Sequence, residues 1–162
     1  MTSLSCPTNF LTREFALRAI FILLLSVRAW KLVKNRKYLP EYAFELLRLA
    51  DADLASGRAL VAAGVRLENA CYHYQQTVEK SLKAVLVHCG VPFPSTHDLN
   101  VLMLLLPEGL GELPYAHELP ELGIYSTQRR YEEGPTPATL EDTNEAEKMA
   151  TCALAWAKGI CN

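Results

Sequence analysis

Several features are scarce or missing in this chain of 162 residues, and each absence excludes something. There is no surplus of positive charge: 16 Lys and Arg stand against 18 Asp and Glu. Non-specific nucleic-acid binding needs an excess of cations to displace counterions from phosphates, so only a local basic cluster would serve. Strand-favouring aliphatics are few, with 9 Val and 4 Ile against 27 Leu and 19 Ala, which points to an all-α fold. No CxxC occurs among the five cysteines, and the four histidines do not join them at metal-ligand spacing. That pattern excludes a zinc knuckle, predicts no metal or other cofactor, and indicates reduced thiols in a cytoplasmic protein. The longest apolar run in the N-terminal segment, Ala19–Leu25, has seven residues, far short of the ~20 needed to span a bilayer. Neither a glycine-rich phosphate loop nor a paired acidic metal site is present.

The charge is unevenly placed. Residues 1–38 carry seven basic residues against Glu14 alone, a net +6, while residues 39–162 carry nine against seventeen acids, a net −8. We therefore read 1–38 as a basic N-terminal extension and 39–162 as the folded domain. Three roles for the extension stay open. It is a segment that the domain does not need, a basic amphipathic helix, or a signal peptide in which Val27-x-Ala29 has cleavage-site character.

Apolar periodicity and proline placement predict an up-and-down bundle of about five helices. Helix one covers 41–63, with Ala43, Leu46, Leu47, Ala50, Leu54 and Val61 as its stripe and Gly64 as its stop. Helix two covers 67–89, with Cys71, Val78, Leu82, Val85 and Cys89 facing the core. Helix three starts at Ser95 or Thr96, where Ser95-x-x-Asp98 has the form of a capping box. Helix four covers 115–131, bent near Pro120. Helix five opens at Thr136-Pro137 or at Thr139-x-x-Asp142 and carries an alanine-rich stripe from Ala146 to Ala157.

A second, polar stripe runs along helix two. Tyr72, Gln76, Glu79 and Lys83 lie within a sector of roughly 60°, flanked by Lys80. On spacing alone this is a solvated face of i,i+3 and i,i+4 pairs.

The string ACYHYQQTVEKSLKA over residues 70–84 resembles the second-helix signature of HEPN domains. Thr96-His97-Asp98-Leu99 is similar to that family's T-H-D/N-L helix start, and Tyr125-x3-Arg129-Arg130-Tyr131 to its Y-x3-R-Y element. The resemblance covers about residues 40–158 and implies a helical bundle that commonly homodimerises. It also implies one of two activities. Some HEPN proteins are metal-independent ribonucleases, often toxins, with an Arg-x4–6-His motif. Others lack the motif and are proposed to bind nucleotides, or to serve as non-catalytic partners of small nucleotidyltransferases in toxin–antitoxin-like modules.

Here no histidine follows Arg129 and Arg130, since the last in the chain is His117. Arg66-x6-His73 has a fitting separation, but lies where the family does not place the motif. The expected protein is therefore a binding module and not an enzyme, with Arg66 and His73, or Arg129 and Arg130 with His97, as the ribonuclease alternative. The third alternative is a purely structural dimer. Two roles stay open for the matched residues. Gln76, Glu79, Lys80 and Lys83 pair with His97, Asp98, Arg129 and Tyr131 to lock the helices together. Alternatively Lys80, Lys83, Arg129 and Arg130 converge on a phosphate of a nucleotide or RNA, with Tyr72, Tyr125 or Tyr131 stacking on a base.

A chain beginning at Leu39 is expected to keep the helical circular dichroism and melting temperature of the full-length protein. Aggregation or loss of helicity would place residues 1–38 in the core.

Overall fold

The computed structural model describes residues 38–130 and 136–162. Tyr131 and the side chain of Arg130, both named above as site candidates, lie outside the described part, as does residues 1–37 of the extension. The described residues form five α-helices and no strand, packed as a bundle. They are α1 (Tyr42–Ala62), α2 (Leu67–His88), α3 (Leu99–Leu104), α4 (Gly123–Ser126) and α5 (Leu140–Cys161). Short 3-10 turns, Leu119–Leu122 and Gln128–Arg130, flank α4.

The α1 stripe buries from Ala43 through Leu46, Leu47 and Ala50 to Leu54, with Gly57 also inside, while Val61 in the last turn is only half-buried. Gly64, at φ 66°, ends the helix: its N–H donates to the Val61 carbonyl and that of Val65 to Leu60. The chain turns back at once, so α2 runs antiparallel to α1, with Thr77 Oγ1 donating to the Ala50 carbonyl. Helix α2 is the centre of the molecule. It packs against α1 and α5 and is touched by α3, α4 and both 3-10 turns. It is therefore buried on more than the one expected stripe, and Gln75, Gln76, Thr77, Glu79 and Ser81 are inside with the aliphatics. The expected solvated polar face is thus largely internal.

Two boundaries differ from the sequence reading. Helix α3 begins at Leu99, with Asp98 as N-cap accepting from the Asn100 N–H at 2.9 Å, so the Ser95–Asp98 capping box does not form. The Thr96 and His97 carbonyls accept instead from Lys83 and Gln75 of α2, which holds 95–98 extended along that helix. The single helix expected over 115–131 is broken. Pro120 lacks an N–H, Tyr115 has φ 58°, and the Ser126 and Thr127 hydroxyls both donate to the Gly123 carbonyl, competing with helical bonding. At α5 the Thr139 start prevails: the Thr139 and Asp142 side chains bond each other's backbone N–H in a complete capping box. Helix α5 runs parallel to α2, as Cys71–Thr143 and Tyr74–Glu147 contacts advance together along both helices.

Gly57 sets the approach of α1 to α2. A Cβ there would overlap the buried Tyr74 ring, 2.9 Å from its Cδ1. Gly159 lies exposed in α5 with nothing within 4 Å of the same position. Gly57→Ala is expected to lower stability by about 1–3 kcal/mol through overpacking. Gly159→Ala is expected to raise it by up to about 0.5 kcal/mol through helix propensity. Paired urea melts check both signs.

Candidate functional site

The buried polar residues of α2 organise around two carboxylates. Glu79, only 3% exposed, accepts from Lys83 Nζ at 2.7 Å, Gln75 Nε2 at 3.1 Å and Gln76 Nε2 at 3.2 Å. His97 Nδ1 lies 3.1 Å from both of its oxygens. Burial by itself would raise the Glu79 pKa, but the bonds and charge of Lys83, with those of Gln75 and His97, hold the carboxyl below its ordinary range. An ionised carboxylate only accepts, so the proton of a neutral His97 sits on Nδ1 and its lone pair on Nε2. Glu79 thereby fastens the 93–98 loop to α2.

The second carboxylate, Asp53 of α1, was not foreseen from the sequence. Its Oδ2 is 2.7 Å from Lys80 Nζ, and its Oδ1 is 2.9 Å from His73 Nδ1. Lys80 also donates to Gln76 Oε1 at 2.9 Å, which links the two clusters. Only the antiparallel pairing of α1 and α2 brings Asp53 to these groups, and nothing local in the sequence marks it.

A concavity of about 250 Å³ opens between α1, α2 and the α2–α3 loop. Lys80, Lys83 and the Glu79 that Lys83 pairs with line it together with Tyr38, Tyr42 and Phe93. Tyr38 stacks on Phe93 with ring centroids 5.0 Å apart, and Lys83 Nζ lies 5.8 Å from the Phe93 centroid. These three rings were missed by the sequence reading, which looked for aromatics only within the matched motifs.

The expected convergence of Lys80 and Lys83 with Arg129 does not occur. The Arg129 carbonyl accepts from Arg66 Nη2 at 3.0 Å, which places it beside the first residue before α2. Lys83 is 17 residues further along the sequence, about 25 Å at 1.5 Å per residue. Arg129 Nη1 donates to the Thr136 carbonyl, while Glu68 accepts from the Ala138 N–H and pairs with Arg66 at 3.3 Å. Burial opposes the Glu68 charge, but these donors and the charges of Arg66 and Arg129 lower its pKa on balance. This second group joins α2 to the start of α5. Tyr125 does not line this concavity: burial, with the Cys71 thiol beside it, pushes its phenol up to about 12.

Tyr72 and His73 line a different concavity, of about 390 Å³, with Glu68 and Asn69. Arg66 and His73 are held by separate partners, Glu68 and the Arg129 carbonyl for the first and Asp53 for the second. Asp98 caps α3. No group of three or more His, Cys, Asp or Glu among the described residues could hold a metal ion, and no described helix is long and apolar enough to cross a membrane.

The family model of the HEPN domain matches residues 43–161. The chain belongs to the HEPN family. No curated protein and no solved structure matches it. Its second-helix signature is accounted for by the geometry above: Gln75, Gln76, Glu79, Lys80 and Lys83 bond one another and hold α1 and the α2–α3 loop against the HEPN domain's central helix.

The folded-state pKa of Glu79 lies below the ordinary 4.5. Its contribution to stability is therefore present above that value and lost as pH falls through the folded pKa. Glu79→Gln is expected to destabilise the protein by on the order of 3 kcal/mol at neutral pH, because Lys83 loses its partner. It is also expected to flatten the loss of stability below about pH 4.5. Denaturant melts across pH 3–7 for both proteins would show it; parallel acid limbs would assign the titration elsewhere.

Proposed function

We propose that this HEPN domain is a binding module for a nucleotide or an RNA end, seated in the cleft of Lys80, Lys83, Tyr38, Tyr42 and Phe93. The observation that carries the reading is the meeting of two ammonium groups with three aromatic rings in one concavity of about 250 Å³. Ammonium groups attract phosphate, and ring faces stack on any base. The domain belongs, in this reading, to the type without the nuclease motif. It homodimerises and acts as the non-catalytic partner of a small nucleotidyltransferase in a toxin–antitoxin-like module, in the cytoplasm. The absence of any histidine after Arg130 supports that assignment.

The ribonuclease reading has weaker support. Arg66 and His73 are each engaged by other groups, His97 is bonded to Glu79, and Arg129 donates to the Thr136 carbonyl. The purely structural reading explains the Glu79 and Asp53 bonds and the burial of Phe93 with Tyr38 against it, but not the exposed ring of Tyr42 beside the lysines.

Calorimetry of the full chain with a nucleoside monophosphate is expected to show weak binding that fades as salt rises. Tyr42→Ala, at a ring that is 38% exposed, is expected to cost about 1 kcal/mol or more of binding with an unchanged melting temperature. Lys80→Gln is expected to weaken binding further. Labelled RNA incubated with the protein and EDTA is expected to stay intact. Absence of any nucleotide heat, or cleavage abolished by His73→Ala or Arg66→Ala, would reject the proposal.

A further inference from the structure

The lysine cleft poses a problem of charge. Lys80 and Lys83 are already matched by Asp53 and Glu79, so an arriving anion meets no net positive charge from these four groups. Each carboxylate is, however, shared between a lysine that lines the cleft and an imidazole that does not. Asp53 offers one oxygen to Lys80 at 2.7 Å and the other to His73 at 2.9 Å. Glu79 takes Lys83 at 2.7 Å and His97 at 3.1 Å. The two imidazoles open onto separate concavities, His73 beside Tyr72 and His97 beside Ser126.

We infer that the cleft takes up its anion together with protons on His73 and His97, and that the ligand is a terminal phosphate, a phosphomonoester dianion, in preference to an internal phosphodiester. The inference rests on the cleft being the ligand site. As the phosphate draws the lysines, Asp53 and Glu79 lose their cationic partners. A proton on each imidazole then restores the balance, with the Nδ1–H already directed at the carboxylate. Imidazole is suited to such an exchange, because one ring nitrogen stays on the carboxylate while the other takes the proton. Two lysines backed by two imidazoles match the two charges of a phosphomonoester.

Among the described residues, Asp53 faces His73 from α1, Tyr72 and Lys80 lie near it on α2, and Glu68 of the same concavity is paired with Arg66. Around His97 stand Glu79 and Lys83 from α2 and the adjacent Asp98, whose carboxylate is engaged by the Asn100 N–H.

Calorimetry of the full chain at about pH 7.5, in two buffers of different ionisation heat, separates the outcomes. The probes are adenosine 5′-monophosphate, adenosine, and the diadenosine dinucleotide with a single internal phosphodiester. The monophosphate is expected to bind with net proton uptake, and the dinucleotide about tenfold or more weaker. His73→Gln and His97→Gln keep an N–H donor for each carboxylate. Each is expected to remove part of the uptake, and the pair to abolish it, with circular dichroism unchanged. If the double variant does not fold, the two single variants carry the test. Monophosphate binding without uptake, or uptake unaltered in the variants, overturns the proton linkage. Equal binding of the dinucleotide overturns the terminal-phosphate assignment. Failure of all three probes rejects the cleft itself, and the inference with it.

Discussion

A carboxylate buried at the middle of the central helix is the constraint on which the rest of this HEPN domain depends. Glu79 cannot remain ionised inside the bundle without several donors, and the chain supplies them from three directions: one turn before it and one turn after it on its own helix, and the loop that follows. That requirement keeps residues 95–98 extended, delays the start of α3 to Leu99 and leaves His97 with one nitrogen committed and the ring largely exposed. A well-satisfied buried charge adds little net stability compared with apolar packing. What it adds here is position, since the loop bearing Phe93 and Ser95 forms one wall of the cleft.

The architecture was readable from the sequence because its long helices announce themselves. The stripe from Ala43 to Leu54 and the alanine row from Ala146 to Ala157 describe faces that the structure buries, and Gly64 ends α1 where the sequence places its stop. Periodicity failed where side chains compete with the backbone. Ser126 and Thr127 divert the Gly123 carbonyl, and Lys83 and Gln75 take the carbonyls that an earlier start of α3 would have used. Such competition depends on partners distant in the chain, and a local pattern does not contain them.

The candidate site was legible only in part. The spacing of Gln76, Glu79 and Lys83 correctly placed them on one face, and the pairing of Glu79 with His97 was among the arrangements considered. The face was read as solvated, because polar residue types suggest water unless the helix is known to be covered on several sides. Asp53 was invisible for a different reason: a carboxylate next to an apolar stripe is ordinary until the opposing helix is in register with it. Arg129 stands apart from the lysines because a motif match carries no distance: its carbonyl accepts from Arg66, the residue just before α2, at the end of that helix away from Lys83.

The parallel course of α2 and α5 makes the bundle electrically lopsided. Both helices begin at the same end, so their partial positive poles add there instead of cancelling. An unoccupied pair of amino-terminal ends would be an attractive seat for an outside anion. In this molecule the protein fills it: Glu68 stands in the first turn of α2 and accepts the Ala138 N–H, while Glu141 and Asp142 occupy the first turn of α5. Self-occupation of that pole removes it as a seat for an outside anion, because the carboxylates of the chain already stand where its charge would go.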